Sequence, residues 1–256
     1  MTPQSAQLAE QGFVVLDGLP ESAVDRARRC VIDHADLLRN TRPNPSSGHL
    51  AGFHRYPELE PLHFLVSSDA AALGILGEAS GSSQVRSIGL SDITINRSQP
   101  WHVDLLRGKY QRHLSQEICW GENGGGVYKV LLYLQSGSTL RVKPGAHRNP
   151  VPLDGDRWAE PTSPDEVTAV AVKAGGIVLM DIRLPHRGST EEELAPVEFA
   201  SNPKILISTV LAGVGKPLGE AMERGNLERL IDWDRAHGNS PAPRLSAQPA
   251  RLAAQA

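Results

Sequence analysis

The sequence is short of cysteine and aromatic residues, and it has no long block of one charge and no long apolar run. Its two cysteines, Cys30 and Cys119, lie far apart. That spacing excludes a disulfide framework and the paired cysteines of a zinc ribbon, and it leads to the expectation of a reducing, cytoplasmic compartment. Aromatics make up 5% of the chain, so each Trp or Tyr beside a motif carries more weight. The formal net charge of −3, with no basic block, argues against non-specific nucleic-acid binding, which needs a positive footprint. The apolar run GGIVLMDI is far too short to cross a bilayer. The opening MTPQSAQLAEQ is polar and lacks the basic and apolar regions of a signal peptide. These absences leave a small molecule as the expected partner, with no nucleic acid and no membrane.

The 256 residues, 40% of them apolar, suffice for one large β-rich or α/β core. We expect one domain over residues 1–238 and a disordered Ala/Pro/Gln-rich tail over 239–256. Residues 4–11 read as a weak helix, GFVVLDGL as a short strand, and the stretch from Glu21 to about Leu38 as a helix with Val24, Ala27, Cys30, Val31 and Ala35 near helical spacing. Residues 41–61, rich in Pro and Gly, read as a long irregular loop, and DAAALGILGEAS as a second helix. From residue 84 the chain turns to strands: QVRSIGLSDITINR, GVYKVLLYLQ, STLRVKPG, two strands in EVTAVAVKAGGIVLMDI, and NPKILISTVLAG. A helix is expected within residues 217–237. Strands after N-terminal helices predict a mostly β fold, an antiparallel sandwich or barrel with helices packed outside.

The chemistry gathers in PWHVDLLRGKY. Residues i and i+2 of a strand share a face, so His102 and Asp104 would point together. An imidazole and a carboxylate on one face make two parts of a 2-His-1-carboxylate metal site. MDIRLPHRGS offers a third ligand, His186, at the end of an apolar strand. By itself a His-x-Asp pair is weak, since the two side chains could simply bond to each other. His147 and the remaining histidines, His34, His49, His54, His63, His113 and His237, sit in turn, helix, loop or tail contexts that do not suit a ligand.

QPWHVD, then YKVLLYLQSGSTLRVKPGAHR, then GGIVLMDIRLPHRGS resemble, in order, the motifs of the phytanoyl-CoA dioxygenase-like family of Fe(II)/2-oxoglutarate oxygenases. The resemblance covers about residues 84–212. It implies a double-stranded β-helix (jelly-roll, cupin-like) core, and Fe(II) on the catalytic triad His102, Asp104 and His186. 2-Oxoglutarate and O₂ would be co-substrates, and succinate and CO₂ products. The carboxylate at 104 favours hydroxylation or another C–H oxidation over halogenation, which a small residue there would allow. His147 matches a structural histidine of the family's PGSH turn, with Ala146 in place of its Ser.

One departure matters. The family usually holds the distal carboxylate of 2-oxoglutarate with an Arg early on the strand after the distal His, and none stands there. Lys204, opening KILIS, and Lys129, in VYKVLLYL, are the replacements to weigh, with Thr139 as a hydroxyl partner and Arg187 or Arg183 as weaker alternatives. Residues 105–126 together with 41–61 are expected to cover the barrel mouth as a lid. Arg107, Tyr110 and Trp120 are the candidate substrate contacts there, suiting a small polar metabolite or natural-product intermediate. The expected function is therefore a non-haem dioxygenase of such a substrate, hydroxylation being the default over epimerisation, desaturation or cyclisation. The missing Arg keeps open a catalytically silent jelly-roll binding protein and a cupin-type metalloenzyme without 2-oxoglutarate.

Overall fold

The computed structural model describes residues 1–153, 163–196 and 201–237; the tail 239–256 lies outside them. Its helices are α1 (Pro3–Gln11), α2 (Glu21–Asp33), α3 (Glu60–Ser67), α4 (Ala70–Ser80), α5 (Gln116–Trp120) and α6 (Pro217–His237). Its strands are β1 (Phe13–Leu16), β2 (Gly48–Ala51), β3 (Val85–Ser87), β4 (Asp92–Ile95), β5 (Val127–Tyr133), β6 (Gly137–Val142), β7 (Thr168–Val172), β8 (Ile177–Asp181), β9 (His186–Arg187) and β10 (Ile205–Gly213). Local chemistry sets several ends. Thr2 caps α1 ahead of Pro3, and Asp69 caps α4 by accepting from the Ala72 N–H at 2.8 Å. Gly12 ends α1 in the left-handed conformation at φ 82°, where a Cβ would also lie 2.6 Å from the His147 ring.

The strands form two antiparallel sheets. One runs β1-β8-β5-β10-β4-β2, with β3 also pairing β10, and the other runs β7-β6-β9. Strand alternation sorts the side chains of β5. Tyr128, Val130 and Leu132 join a core shared with α2, α3 and α4, while Leu131 and Tyr133 join Leu140, Val142, Val170 and Val172 between the sheets. Lys129 shares the parity of Leu131, so it faces the interior. On β10 the same rule places Ile205, Ile207 and Leu211 on the helix side and Lys204, Leu206 and Ser208 on the inner side. Burial of each such Leu, Ile or Val contributes about 1.5–3 kcal/mol, which makes a slip of register costly. Two partly buried lysines on the inner faces, Lys129 and Lys204, are the exception to that pattern.

Two expectations need correction. The loop read over 41–61 contains β2, which pairs with β4 from Gly48↔Ile95 to Ala51↔Asp92, and a 3₁₀ turn at Phe53–Arg55, and it runs into α3. Residues 47–56 are buried; GHLA joins the sheet through a partner more than forty residues away, a pairing that local composition does not announce. Trp101–Asp104 is no regular strand either: it carries one isolated antiparallel bridge, His102↔His186.

Candidate active site

That bridge builds the site. The His102 N–H donates to the His186 carbonyl and the His186 N–H to the His102 carbonyl, both at 2.9 Å, and Asp104 N–H donates to the Ile182 carbonyl at 3.1 Å. The two imidazoles lie side by side with centroids 4.2 Å apart. Each turns its Nδ1 to a backbone carbonyl: His102 to Pro100 at 2.7 Å and His186 to Leu184 at 2.8 Å. A carbonyl only accepts, so Nδ1 carries the proton in both rings and both Nε2 lone pairs face inward. Asp104 completes the set, with Oδ1 3.4 Å from His102 Nε2 and Oδ2 3.4 Å from His186 Nε2. One ligand atom from each residue falls within 4.8 Å of the others.

The charge states suit a cation. Burial, then the neighbouring His102, pushes His186 down to about 3, and burial likewise lowers His102, so both rings are neutral. Burial alone would raise Asp104, but Lys129, His186 and His102 outweigh it and hold the carboxyl well below its ordinary range. Asp104 Oδ2 is buried without a hydrogen bond of proper geometry, although Lys129 Nζ stands 2.9 Å away. An orphaned carboxylate oxygen beside two inward lone pairs is what a divalent-cation site leaves when its donors are arranged in advance. Gln99 Nε2 lies 2.8 Å from His102 Nε2 and donates to that lone pair.

A narrow 50 Å³ cavity is lined by His102 and His186 of the triad, by Leu131, Tyr133, Leu140 and Leu206, and by Lys204. There Lys204 Nζ donates to Thr139 Oγ1 at 2.6 Å and Ser189 Oγ at 2.5 Å, and it lies 5.9 Å from the Tyr133 ring centroid. Burial, partly opposed by Glu193, pulls this ammonium down to about 8. Ser189 donates its own O–H to Thr139 Oγ1 at 2.9 Å. Thr139 thus accepts twice, which leaves its proton free to donate elsewhere. Of the basic residues weighed in sequence, Lys129 pairs with Asp104. Arg187 is held by Glu193 at 2.9 and 3.2 Å, and Arg183 is locked bidentate on Asp181 at 2.8 Å. Neither arginine lines the cavity.

A larger cavity of 570 Å³ opens on the other side of Asp104 and shares Thr94, Arg97, Gln99, Lys129 and Leu206 with the narrow one. Arg107 and Tyr110 line it, as expected; Tyr110 donates to Asp232 at 2.6 Å. Trp120 does not: its indole N–H caps the His147 carbonyl at 3.0 Å. His147 itself sits against the Ala9 carbonyl at 3.2 Å, away from the triad. Residues 41–43 reach the larger cavity, and the 3₁₀ turn Gly108–His113 and α5 occupy the other expected lid.

Sequence reasoning missed Gln99, Ser189, Arg97, His49 and Asp92. Gln99 and Ser189 each lie three residues from a triad histidine, the one available signal. His49 and Asp92 face each other across β2 and β4 at 3.6 Å, with Arg229 on Asp92 at 3.1 Å, a contact no local pattern encodes.

No protein family matches the chain by sequence, and no curated protein does. The fold does have solved counterparts, among them alpha-ketoglutarate or 2-oxoglutarate proteins with the same jelly-roll architecture. The epimerase SnoN, solved in complex with Fe3+, alpha ketoglutarate and nogalamycin RO, is similar at TM-score 0.62 and 17% identity, over 96% of this chain and 93% of that chain. The carbocyclase SnoK from nogalamycin biosynthesis is similar at TM-score 0.59 and 18% identity, over 97% and 94%. EctD from S. alaskensis, with 2-oxoglutarate and 5-hydroxyectoine, is similar at TM-score 0.59 and 16% identity, over 84% and 77%. Among the described residues no helix is long and apolar enough to cross a membrane.

Proposed function

We propose that this protein is an Fe(II)/2-oxoglutarate-dependent oxygenase that oxidises a C–H bond of a small metabolite or natural-product intermediate. One observation carries the reading: His102 and His186 of the His102–Asp104–His186 cluster and the ammonium of Lys204, held by two hydroxyls, line one narrow cavity. The structural neighbours support it, since SnoN, SnoK and EctD are each alpha-ketoglutarate or 2-oxoglutarate proteins acting on or bound to small molecules.

His102 Nε2, His186 Nε2 and Asp104 would hold the iron. When bound, iron with 2-oxoglutarate and O₂ supplies the oxidising power, and succinate and CO₂ leave. The protein's own residues do the rest. The Pro100 and Leu184 carbonyls fix the tautomers, which saves the rotation that free imidazoles would have to give up. Lys204 meets the distal carboxylate as a point charge, and the free Thr139 proton donates to its second oxygen, replacing the two-pronged grip of an arginine. Lys129, 2.9 Å from Asp104 Oδ2, keeps that carboxylate ionised until a metal takes the oxygen over. Leu105 and Leu106, 4% and 6% exposed, form an apolar part of the larger cavity's wall beside Asp104.

The deciding experiment is succinate release from 2-oxoglutarate, with Fe(II) and O₂, against a panel of small metabolites. Substrate-dependent succinate supports the reading. Wild-type protein that fails to bind 2-oxoglutarate at millimolar concentration would return the chain to the silent binding proteins.

A further inference from the structure

The larger cavity is unevenly charged. Arg42, Arg97, Arg107, Lys129 and Arg229 line it, against Asp92, Asp104 and Glu191. Two of the cations are already matched by carboxylates. Arg229 pairs with Asp92 and Lys129 with Asp104, and Glu191 accepts from Ser98. His49 adds no positive charge, because burial lowers it and leaves the ring neutral.

Arg97 is not matched in this way. Among the described residues it forms no ion pair. One terminal nitrogen reaches Gln99 Oε1 at a long 3.4 Å, and its Nε is buried with no hydrogen bond. Burial, then the nearby Arg42, pulls this guanidinium down to about 10. Arg42 gives its Nε to the Ser98 carbonyl at 2.9 Å and another nitrogen to the Thr41 carbonyl at 3.0 Å, so its charge too meets only backbone. A half-buried guanidinium left without an anion and crowded by a second one is costly, and proteins keep such a group where a ligand supplies the counter-charge.

2-Oxoglutarate is not that ligand. On the oxygenase reading its two carboxylates would go to the triad and to Lys204, and with Fe(II) it would bring no net charge to the cavity. Arg42 lines only the larger cavity. We propose that the larger cavity is a substrate site for an oxyanion, a carboxylate or a phosphate ester, gripped by Arg97 with Arg42 at the mouth. This rests on the oxygenase reading in calling the ligand a substrate and in assigning 2-oxoglutarate to the triad and Lys204. A volume of 570 Å³ fits a metabolite-sized acid, and the fork geometry of arginine matches a carboxylate or phosphate edge.

The test is calorimetric titration of benzoate and of sulfate, separately, into the Zn(II)-loaded protein, with and without saturating 2-oxoglutarate. We expect one saturable site for at least one anion, benzoate marking a carboxylate site and sulfate a phosphate-like one. Arg97→Gln should weaken that binding at least about tenfold, as loss of a charged hydrogen bond implies, and Arg42→Gln should weaken it less. Both variants should keep the wild-type melting temperature to within a few degrees and the 2-oxoglutarate Kd to within about threefold. Absence of a saturable site for either anion overturns the proposal, as does unchanged binding in both variants. Arg97→Gln protein that loses 2-oxoglutarate as strongly as the anion overturns it too, since the guanidinium would then serve the co-substrate. Wild-type protein that binds the anion but not 2-oxoglutarate leaves the anion site standing and sinks the oxygenase reading instead.

Discussion

Replacing Lys204 by Met keeps most of the side-chain volume and removes the charge that Thr139 and Ser189 now surround at 2.6 and 2.5 Å. If the distal carboxylate docks there, the variant loses one charge-assisted hydrogen bond and leaves an anion unpaired in a cavity walled by Leu131, Leu140 and Leu206. A hydrogen bond to a charged group contributes about 2–3 kcal/mol, so the 2-oxoglutarate Kd should rise about 30- to 140-fold, with metal affinity unchanged. The same lysine sets a pH dependence. Its ammonium is held down to about 8, and only the protonated form attracts the carboxylate. The wild-type Kd should therefore stay flat below about pH 7 and climb toward tenfold per unit above pH 8, whereas the Lys204→Met Kd should stay flat throughout. Without ligand the sign is the reverse. Between about 8 and the ordinary 10.5 the unfolded chain binds the proton that the folded chain has lost, so stability rises with pH across that window. Anaerobic calorimetry on the Mn(II)-loaded protein measures the binding. A Lys204→Met Kd within threefold of wild type, or the same pH profile in both proteins, would refute the anchor.

Lys129→Met should tighten Fe(II) or Mn(II) binding by about tenfold, because the ammonium 2.9 Å from Asp104 Oδ2 competes with a metal for that oxygen; weaker binding in equilibrium dialysis would show that Lys129 organises the site. Arg183→Ala strips the partner from Asp181, whose side chain is 5% exposed, and should cost about 3–5 kcal/mol in denaturant unfolding while the 2-oxoglutarate Kd holds. Hydrogen exchange should show residues 47–56 protected with or without ligands, since β2 is paired and buried, and ligand-dependent protection only in 41–43 and 107–113; uniform exchange across 41–56 would contradict the register of β2.

The sequence was most legible where chemistry is local. His102 and Asp104 are two residues apart, and their neighbours Trp101 and Leu105 mark a buried setting. Lys129 within the apolar run VYKVLLYL and Lys204 opening KILIS were legible as candidates, but the sequence did not choose between them. What stayed hidden depends on contacts between distant segments. β2 is a four-residue strand in a Pro-rich stretch, and only its ladder to β4 makes it one. The choice between the two lysines is decided by Asp104, which takes one, and by Thr139 and Ser189 from other segments, which surround the other. The arginines of the larger cavity come from four separate stretches of chain, and all but Arg107 read alone as ordinary surface charges.

Anaerobic titration of the metal-free protein with Fe(II), followed by 2-oxoglutarate and read by visible absorption, tests the central claim most directly. One equivalent of Fe(II) should bind, and a weak charge-transfer band should grow with 2-oxoglutarate. Asp104→Ala protein should give no band, and folded His147→Ala protein should give the wild-type band. A wild-type protein that shows no band, or an Asp104→Ala protein that matches it, would contradict the assignment of His102, Asp104 and His186 as an iron site.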